Sequence, residues 1–124
     1  MMITLPMPPS INHYWHLFVA KGKPRIALSD LGRNYRVDCL AAILEQGVSR
    51  KDCLPRDVRV SLEIWIYPAS NRLFDLDNRI KPLQDALVKC GLIDDDSQID
   101  KLIVHRQKPD KKSPRVVIEI GVMP

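Results

Sequence analysis

No run in this chain approaches the roughly 18 consecutive apolar residues that a membrane-crossing helix requires. Residues 1–10 also lack the basic opening and apolar stretch of an export signal. Cysteine is sparse. Cys39, Cys53 and Cys90 are odd in number and widely spaced, which argues against a disulfide framework and for reduced thiols in a cytoplasmic compartment. They form no Cys-x-x-Cys pair, so His13 and His16, flanking Tyr14-Trp15, lack the partners of a zinc site. No Gly-x-Ser-x-Gly elbow and no Gly-rich phosphate loop is present, which leaves serine-hydrolase and nucleotide-hydrolase readings without support. Repeats and low-complexity linkers are missing too. What remains is one domain of 124 residues, 45% hydrophobic and 27% charged, long enough to bury a real core.

Residues 3–5 read as a short strand stopped by Pro6-Met7-Pro8-Pro9. Residues 8–12 are expected to be loop, because consecutive prolines forbid helix and central strand alike. Residues 18–20 and 25–27 suggest a small hairpin with a basic tip at Lys21-Gly22-Lys23-Pro24. Ser29 is placed to cap a helix over 30–46 that Gly47 closes, with Leu31, Tyr35, Cys39, Ile43 and the neighbouring Leu40 and Leu44 as its buried stripe. The clearest strand covers 58–67, where Val58, Val60, Leu62, Ile64 and Ile66 alternate with Arg59, Ser61, Glu63, Trp65 and Tyr67. A loop over 68–74 leads to Asp75. A second helix then runs to about Lys89, with Ile80, Leu83, Leu87 and Cys90 inward and Gly91 as its stop. Proline is at ease only in a first turn, so Pro82 predicts a cap or tight turn over 78–81. Strands over 99–107 and 115–122 follow, joined by the basic loop 108–114. The order predicts an α+β fold, a mixed sheet with two main helices in a single domain.

Charge is distributed unevenly around the net +4. Residues 75–100 hold seven acids (Asp75, Asp77, Asp85, Asp94, Asp95, Asp96, Asp100) against three bases (Arg79, Lys81, Lys89), while the rest holds 16 Lys/Arg against 8 Asp/Glu. Like charges so crowded repel unless a cation sits among them, and a basic surround draws phosphate. Asp75 and Asp77 alternate about Leu76, so both carboxylates can face one way while Leu76 enters the core. Asp77, Lys81 and Asp85 fall at i, i+4 and i+8 on one helical face. Asp94-Asp95-Asp96 arrives after the helix has reversed the chain. Two such carboxylate sources suit Mg2+, which takes oxygen ligands and keeps several waters. That ion activates water and neutralises the charge that builds on a phosphodiester. The same residues have a local explanation, with Asp77 capping a helix and residues 94–96 making a solvated turn. A calcium loop does not fit, because Arg79 and Ile80 stand where a ligand and a glycine are needed.

A pI near 9.1 favours a polyanionic partner. Arg72 and the group Lys108, Lys111 and Lys112 are the best candidates for DNA phosphates, since their loops flank the acidic site. Tyr14, Trp15 and Phe74 lie near loops, where they could stack on unpaired bases or serve packing and subunit contact. His105, in an alternating strand, reads as a surface or half-buried residue rather than a general base.

The run Asp75-Leu76-Asp77-Asn78-Arg79-Ile80-Lys81-Pro82-Leu83-Gln84-Asp85-Ala86-Leu87, then Gly91, then Asp95-Asp96-Ser97-Gln98-Ile99, closely resembles the RusA family of Holliday junction resolvases. Leu5-Pro6-Met7-Pro8-Pro9-Ser10-Ile11-Asn12 resembles that family's proline-rich N-terminal signature. The resemblance implies a RusA-like fold over residues 1–124 and a Mg2+-dependent endonuclease, with Mn2+ able to substitute. It further implies a homodimer making paired nicks across a four-way DNA junction in recombination and repair. Such proteins are typical of bacteria and their phages or prophages, so a bacterial cytoplasm is the expected location. By the same resemblance Asp75, Asp77 and Asp96 are catalytic and metal-binding, and Lys81 is the essential lysine beside the DNA. Three aspartates stand where the pattern usually has two. Anchoring on Ser97-Gln98 selects Asp96, and a one-residue shift would give the role to Asp95. Two competitors stay open: a less selective nuclease of flaps or duplex, and a junction-binding protein without catalysis. The intact acid set argues against the second. Residues 6–12 with Tyr14 and Trp15 are the expected surface shared between subunits.

Overall fold

The computed structural model describes every residue, Met1–Pro124. In chain order the elements are β1 (Met2–Pro6), a one-turn α1 (Ile11–Tyr14), the ribbon strands β2 (Trp15–Ala20) and β3 (Lys23–Leu28), α2 (Asp30–Glu45), β4 (Val60–Tyr67), α3 (Asp77–Lys89), β5 (Ile99–Arg106) and β6 (Arg115–Val122). Short 3-10 turns cover Arg50–Asp52 and Asp96–Gln98. Four strands form one sheet in the order β1-β6-β4-β5, and β2 and β3 make a separate ribbon. Only the β4–β5 pair is parallel. This is the α+β class the sequence predicts.

β4 belongs inside because every second residue is apolar. Val60, Leu62, Ile64 and Ile66 are buried, while Ser61, Glu63, Trp65 and Tyr67 face the half-covered side. Ile3, Leu5, Val116, Ile118 and Ile120 extend that buried face, and Leu83, Ala86 and Leu87 of α3 close over it. Each such Leu or Ile contributes about 1.5–3 kcal/mol by leaving water. The strand starts two residues later than its alternation suggests, because the amide of Val58 is tied into a turn on Pro55 O at 3.0 Å.

α2 is capped as expected, with Ser29 Oγ accepting from Gly32 N at 3.0 Å. Its buried stripe is narrower than predicted. Tyr35, Cys39 and Ile43 face inward, whereas Leu31, Leu40 and Leu44 are exposed. The helix lies over β1, an edge strand, which covers only the i, i+4, i+8 line. Gly32 is required there: a Cβ would stand 2.7 Å from Tyr14 O and 2.5 Å from Leu28 Cδ1.

Three boundaries differ from expectation. The loop over 8–12 is cut short, because the prolines end at Pro9 and Ser10 Oγ, accepting from Asn12 N at 3.1 Å, starts α1. The hairpin strands are six residues each, and Lys21 (φ 53°) and Gly22 (φ 72°) supply the left-handed pair a two-residue turn demands. α3 begins at Asp77 and runs through Pro82. The predicted tight turn is its opening: Asn78 N bonds Asp75 O at 3.3 Å and Arg79 N bonds Leu76 O at 3.1 Å.

All three cysteines are free thiols. Burial pushes Cys39 up to about 12 and also raises Cys90, so both stay protonated and inert near neutral pH. In the folded protein at about pH 8, close to the ordinary thiol value, Ellman's reagent should leave Cys39 and Cys90 unmodified until denaturant is added. Rapid modification of all three thiols would contradict this packing.

Candidate active site

β4 hands the chain to the loop 68–74, which is fastened at both ends. Asp110 N bonds Pro68 O at 2.8 Å, and Arg106 Nη2 donates to Phe74 O at 2.7 Å. Leu76 then packs on the core while Asp75 and Asp77 are exposed on either side of it, as the alternation predicts. The N-cap position of α3 is Leu76, itself helical, with no side-chain cap. Asp77 therefore does not cap the helix. Neither Asp75 nor Asp77 enters an ion pair of the chain. Asp75 opens on a cleft of about 510 Å3 that Ser10, Asn78, Arg79 and Arg106 also line.

The acidic turn before β5 divides its three carboxylates. Asp94 Oδ2 accepts from Arg56 N at 3.0 Å. Asp95 Oδ1 accepts from Ser97 N at 2.9 Å, and that amide holds the Asp95 carboxyl below its ordinary value. Asp96, its neighbour, meets Lys81 Nζ at 2.5 Å. Gln98 fixes the turn. It is fully buried, its Oε1 accepts from Asp94 N (2.7 Å) and Asp95 N (2.9 Å), and its Nε2 donates to Pro55 O (2.7 Å) and Val58 O (3.0 Å). The sequence reading used Gln98 only as a landmark, although Asp95-x-x-Gln98 has the spacing of a capping box.

Asp85 does not join the Asp77–Lys81 face. Its carboxylate accepts from Arg36 Nη2 at 2.6 Å and from the Tyr14 hydroxyl, which also accepts from Arg36 Nε at 2.9 Å. Burial and the Asp85 charge drive the Tyr14 phenol well above its ordinary value, so it stays neutral. This network ties α1, α2 and α3 together. It removes Tyr14, which is fully buried, from both base stacking and the expected subunit surface. Trp15 packs edge-to-face on Tyr14 at 5.2 Å, and His105 Nε2 pairs with Glu63 at 2.6 Å while stacking on Trp65.

Arg72, Lys108, Lys111 and Lys112 are exposed, in loops at the end of β4 and β5 where Asp75 stands. Asp96, by contrast, precedes the first residue of β5. The chain thus delivers Asp75 and Asp77 after β4 and Asp96 before β5, and Lys81, one helical turn from Asp77, is paired with Asp96. No three His, Cys, Asp or Glu side chains gather into a group that could hold an ion. Mg2+ usually takes only one or two protein carboxylates beside its waters. The exposed, unpaired oxygens of Asp75 and Asp77 fit that demand in kind, and Asp96 offers a third carboxylate shared with Lys81.

The chain is thus a small α+β domain with free carboxylates at a strand-to-helix junction and exposed basic loops beside them. The model of the endodeoxyribonuclease RusA family matches residues 6–121, and the chain belongs to that family. It is 32% identical over 102 residues to a crossover junction endodeoxyribonuclease of Enterobacteria phage HK97, spanning 82% of this chain and 78% of the relative. The enzymes of that name from Enterobacteria phage 82 and Escherichia coli K12 are 36% and 34% identical over 97 residues, each alignment spanning 78% of this chain and 74% of the relative. No helix is long and apolar enough to cross a membrane.

Proposed function

We propose that this chain is a crossover junction endodeoxyribonuclease that resolves four-way DNA junctions by paired, symmetric nicks in recombination and repair. The division of labour among the aspartates carries the reading. Asp94 and Asp95 are used by the local backbone, whereas the side chains of Asp75 and Asp77 hold nothing in place and Asp96 presents its carboxylate to Lys81. A fold keeps mutually repelling acids without structural duty when a ligand needs them. Asp75, Asp77 and Asp96 would hold Mg2+, or Mn2+ in its place. Bound there, the ion supplies charge neutralisation and water activation. Lys81 stands one turn from Asp77, holds Asp96 toward α3, and offers its ammonium to the negative charge developing on the phosphate. Arg72, Lys108, Lys111 and Lys112 supply phosphate affinity without reading sequence. Water is the nucleophile, so no covalent protein–DNA intermediate forms. The cytoplasm of a bacterial or phage-infected cell is the matching location.

The acting unit in this reading is a homodimer, because two nicks need two copies of one acidic site. The β2–β3 ribbon supports it. Its register pairs Trp15 with Leu28, Leu17 with Ile26 and Val19 with Pro24, so one face is wholly apolar. Leu17, Val19 and Ile26 are exposed on it, and a lone two-stranded ribbon is marginal in water. α2 adds Val37, Leu40 and Leu44, also exposed. Such surfaces suit a second copy.

The test is a labelled synthetic four-way junction, with flap and linear duplex in parallel, each with and without Mg2+. Symmetric nicks confined to the junction and dependent on metal are expected. Equal cutting of all three substrates would favour the less selective nuclease, and tight junction binding without any cut would favour a binding protein.

A further inference from the structure

Five of the ten arginines, Arg33, Arg36, Arg56, Arg59 and Arg115, are matched by a carboxylate of the chain. Arg25 and Arg50 are exposed on the ribbon and a surface turn. Of the remaining three, Arg72 lies exposed in the loop before Phe74, while Arg79 and Arg106 converge on Phe74. Arg106 sets its guanidinium carbon 4.3 Å from the Phe74 ring centroid and Arg79 sets its own at 5.3 Å. Each makes one hydrogen bond, Arg106 Nη2 to Phe74 O and Arg79 Nη1 to Pro8 O, both at 2.7 Å. A guanidinium carries five N–H donors, so most of theirs are unspent. Arg79 is the more demanding of the two. Its Nε is buried without a partner, and no carboxylate of the chain pairs with its guanidinium. Packing against Phe74 accounts for one arginine. It does not account for two unmatched ones lining a single open cleft beside Asp75. A half-buried cation without a counterion is costly, and an arriving anion removes that cost.

We propose that Arg79 and Arg106 form a phosphate clamp for DNA, holding a backbone phosphate in the cleft beside Asp75. Phe74 is the plate that keeps both guanidiniums in position. The Asp75 carboxylate repels an anion seated directly on it, so the clamped phosphate lies on the arginine side and fixes how the strand passes the acids. The clamp rests on the nuclease reading above and adds to it a substrate contact that does not depend on metal.

Binding of the whole chain to a duplex oligonucleotide and to a four-way junction, measured without divalent metal across a salt series, tests it. Arg79→Gln and Arg106→Gln should each reduce the magnitude of the slope of log Kobs against log salt, and the double variant by about 0.9, the share of the one clamped phosphate on duplex DNA. Arg79→Lys and Arg106→Lys should keep the slope. Arg33→Gln, which removes a guanidinium already matched to Asp30, should leave it unchanged. Unchanged slopes in both Gln variants, with native thermal melting, overturn the clamp, as does a wild-type chain that binds neither DNA. If Arg79→Gln fails to fold, Arg106→Gln, whose residue is exposed, decides alone. Slope losses in a chain that cuts nothing once Mg2+ is added would uphold the clamp and overturn the nuclease reading. Junction cutting with slopes unmoved would do the reverse.

Discussion

Asp75→Asn and Asp77→Asn should each abolish cleavage of a four-way junction while leaving binding intact or slightly tighter. The amide keeps the size of the carboxylate and removes the charge that would hold a divalent ion. Neither carboxylate caps α3 or enters an ion pair, so the melting temperature should not move. In the proposed function phosphate affinity would come instead from Arg72, Lys108 and their neighbours. Deleting a negative charge beside the DNA favours association. Removing one charge-stabilising group costs about 10²–10³ in rate, and loss of the ion's own site should exceed that range. Single-turnover cleavage at saturating protein is the measurement, paired with a binding assay on the same junction. Wild-type rates in either variant would remove both residues from the site.

The uncapped start of α3 is not visible in the sequence, where Asp77 is as good a helix cap as a ligand. Alternation made β4 legible and, with it, the face on which Asp75 and Asp77 flank Leu76, because a period of two has one geometric meaning. Helical spacing was less decisive. It placed Asp85 on the face of Lys81, but the neighbour that fills a face is set by packing, and here Arg36 and Tyr14 claim that carboxylate. The width of the buried stripe on α2 was hidden for the same reason, since Leu40 and Leu44 look inward until the helix is known to lie on an edge strand. α1 was hidden by its prolines, which forbid helix up to Pro9 and say nothing about Ser10 onward. At the junction, the exposure of Asp75 and Asp77 on either side of Leu76 was legible from local spacing. The meeting of Arg79 and Arg106 over Phe74 was not, because only the parallel β4–β5 crossover brings those residues together.

Lys81→Ala should cut turnover by about 10²–10³, the usual effect of removing a donor that meets charge developing in the transition state. The fold should survive. Lys81 is more than half exposed, and a surface ion pair of that kind is worth about 0–1 kcal/mol. Its partner carries the sharper test. Asp96→Asn should be far more damaging than Asp95→Asn, because Asp95 spends its carboxylate on Ser97 N while Asp96 faces Lys81 across from α3. Gln98 pins the amides of Asp94 and Asp95, so the two aspartates cannot readily exchange places when one is neutralised. Single-turnover rates for all three variants, with circular dichroism as the fold control, separate the outcomes. A defect of Lys81→Ala confined to affinity, with the chemical step intact, would make Lys81 an ordinary phosphate contact. A larger loss at Asp95 than at Asp96 would move the ligand role by one residue and leave the Lys81–Asp96 pair as a surface tie.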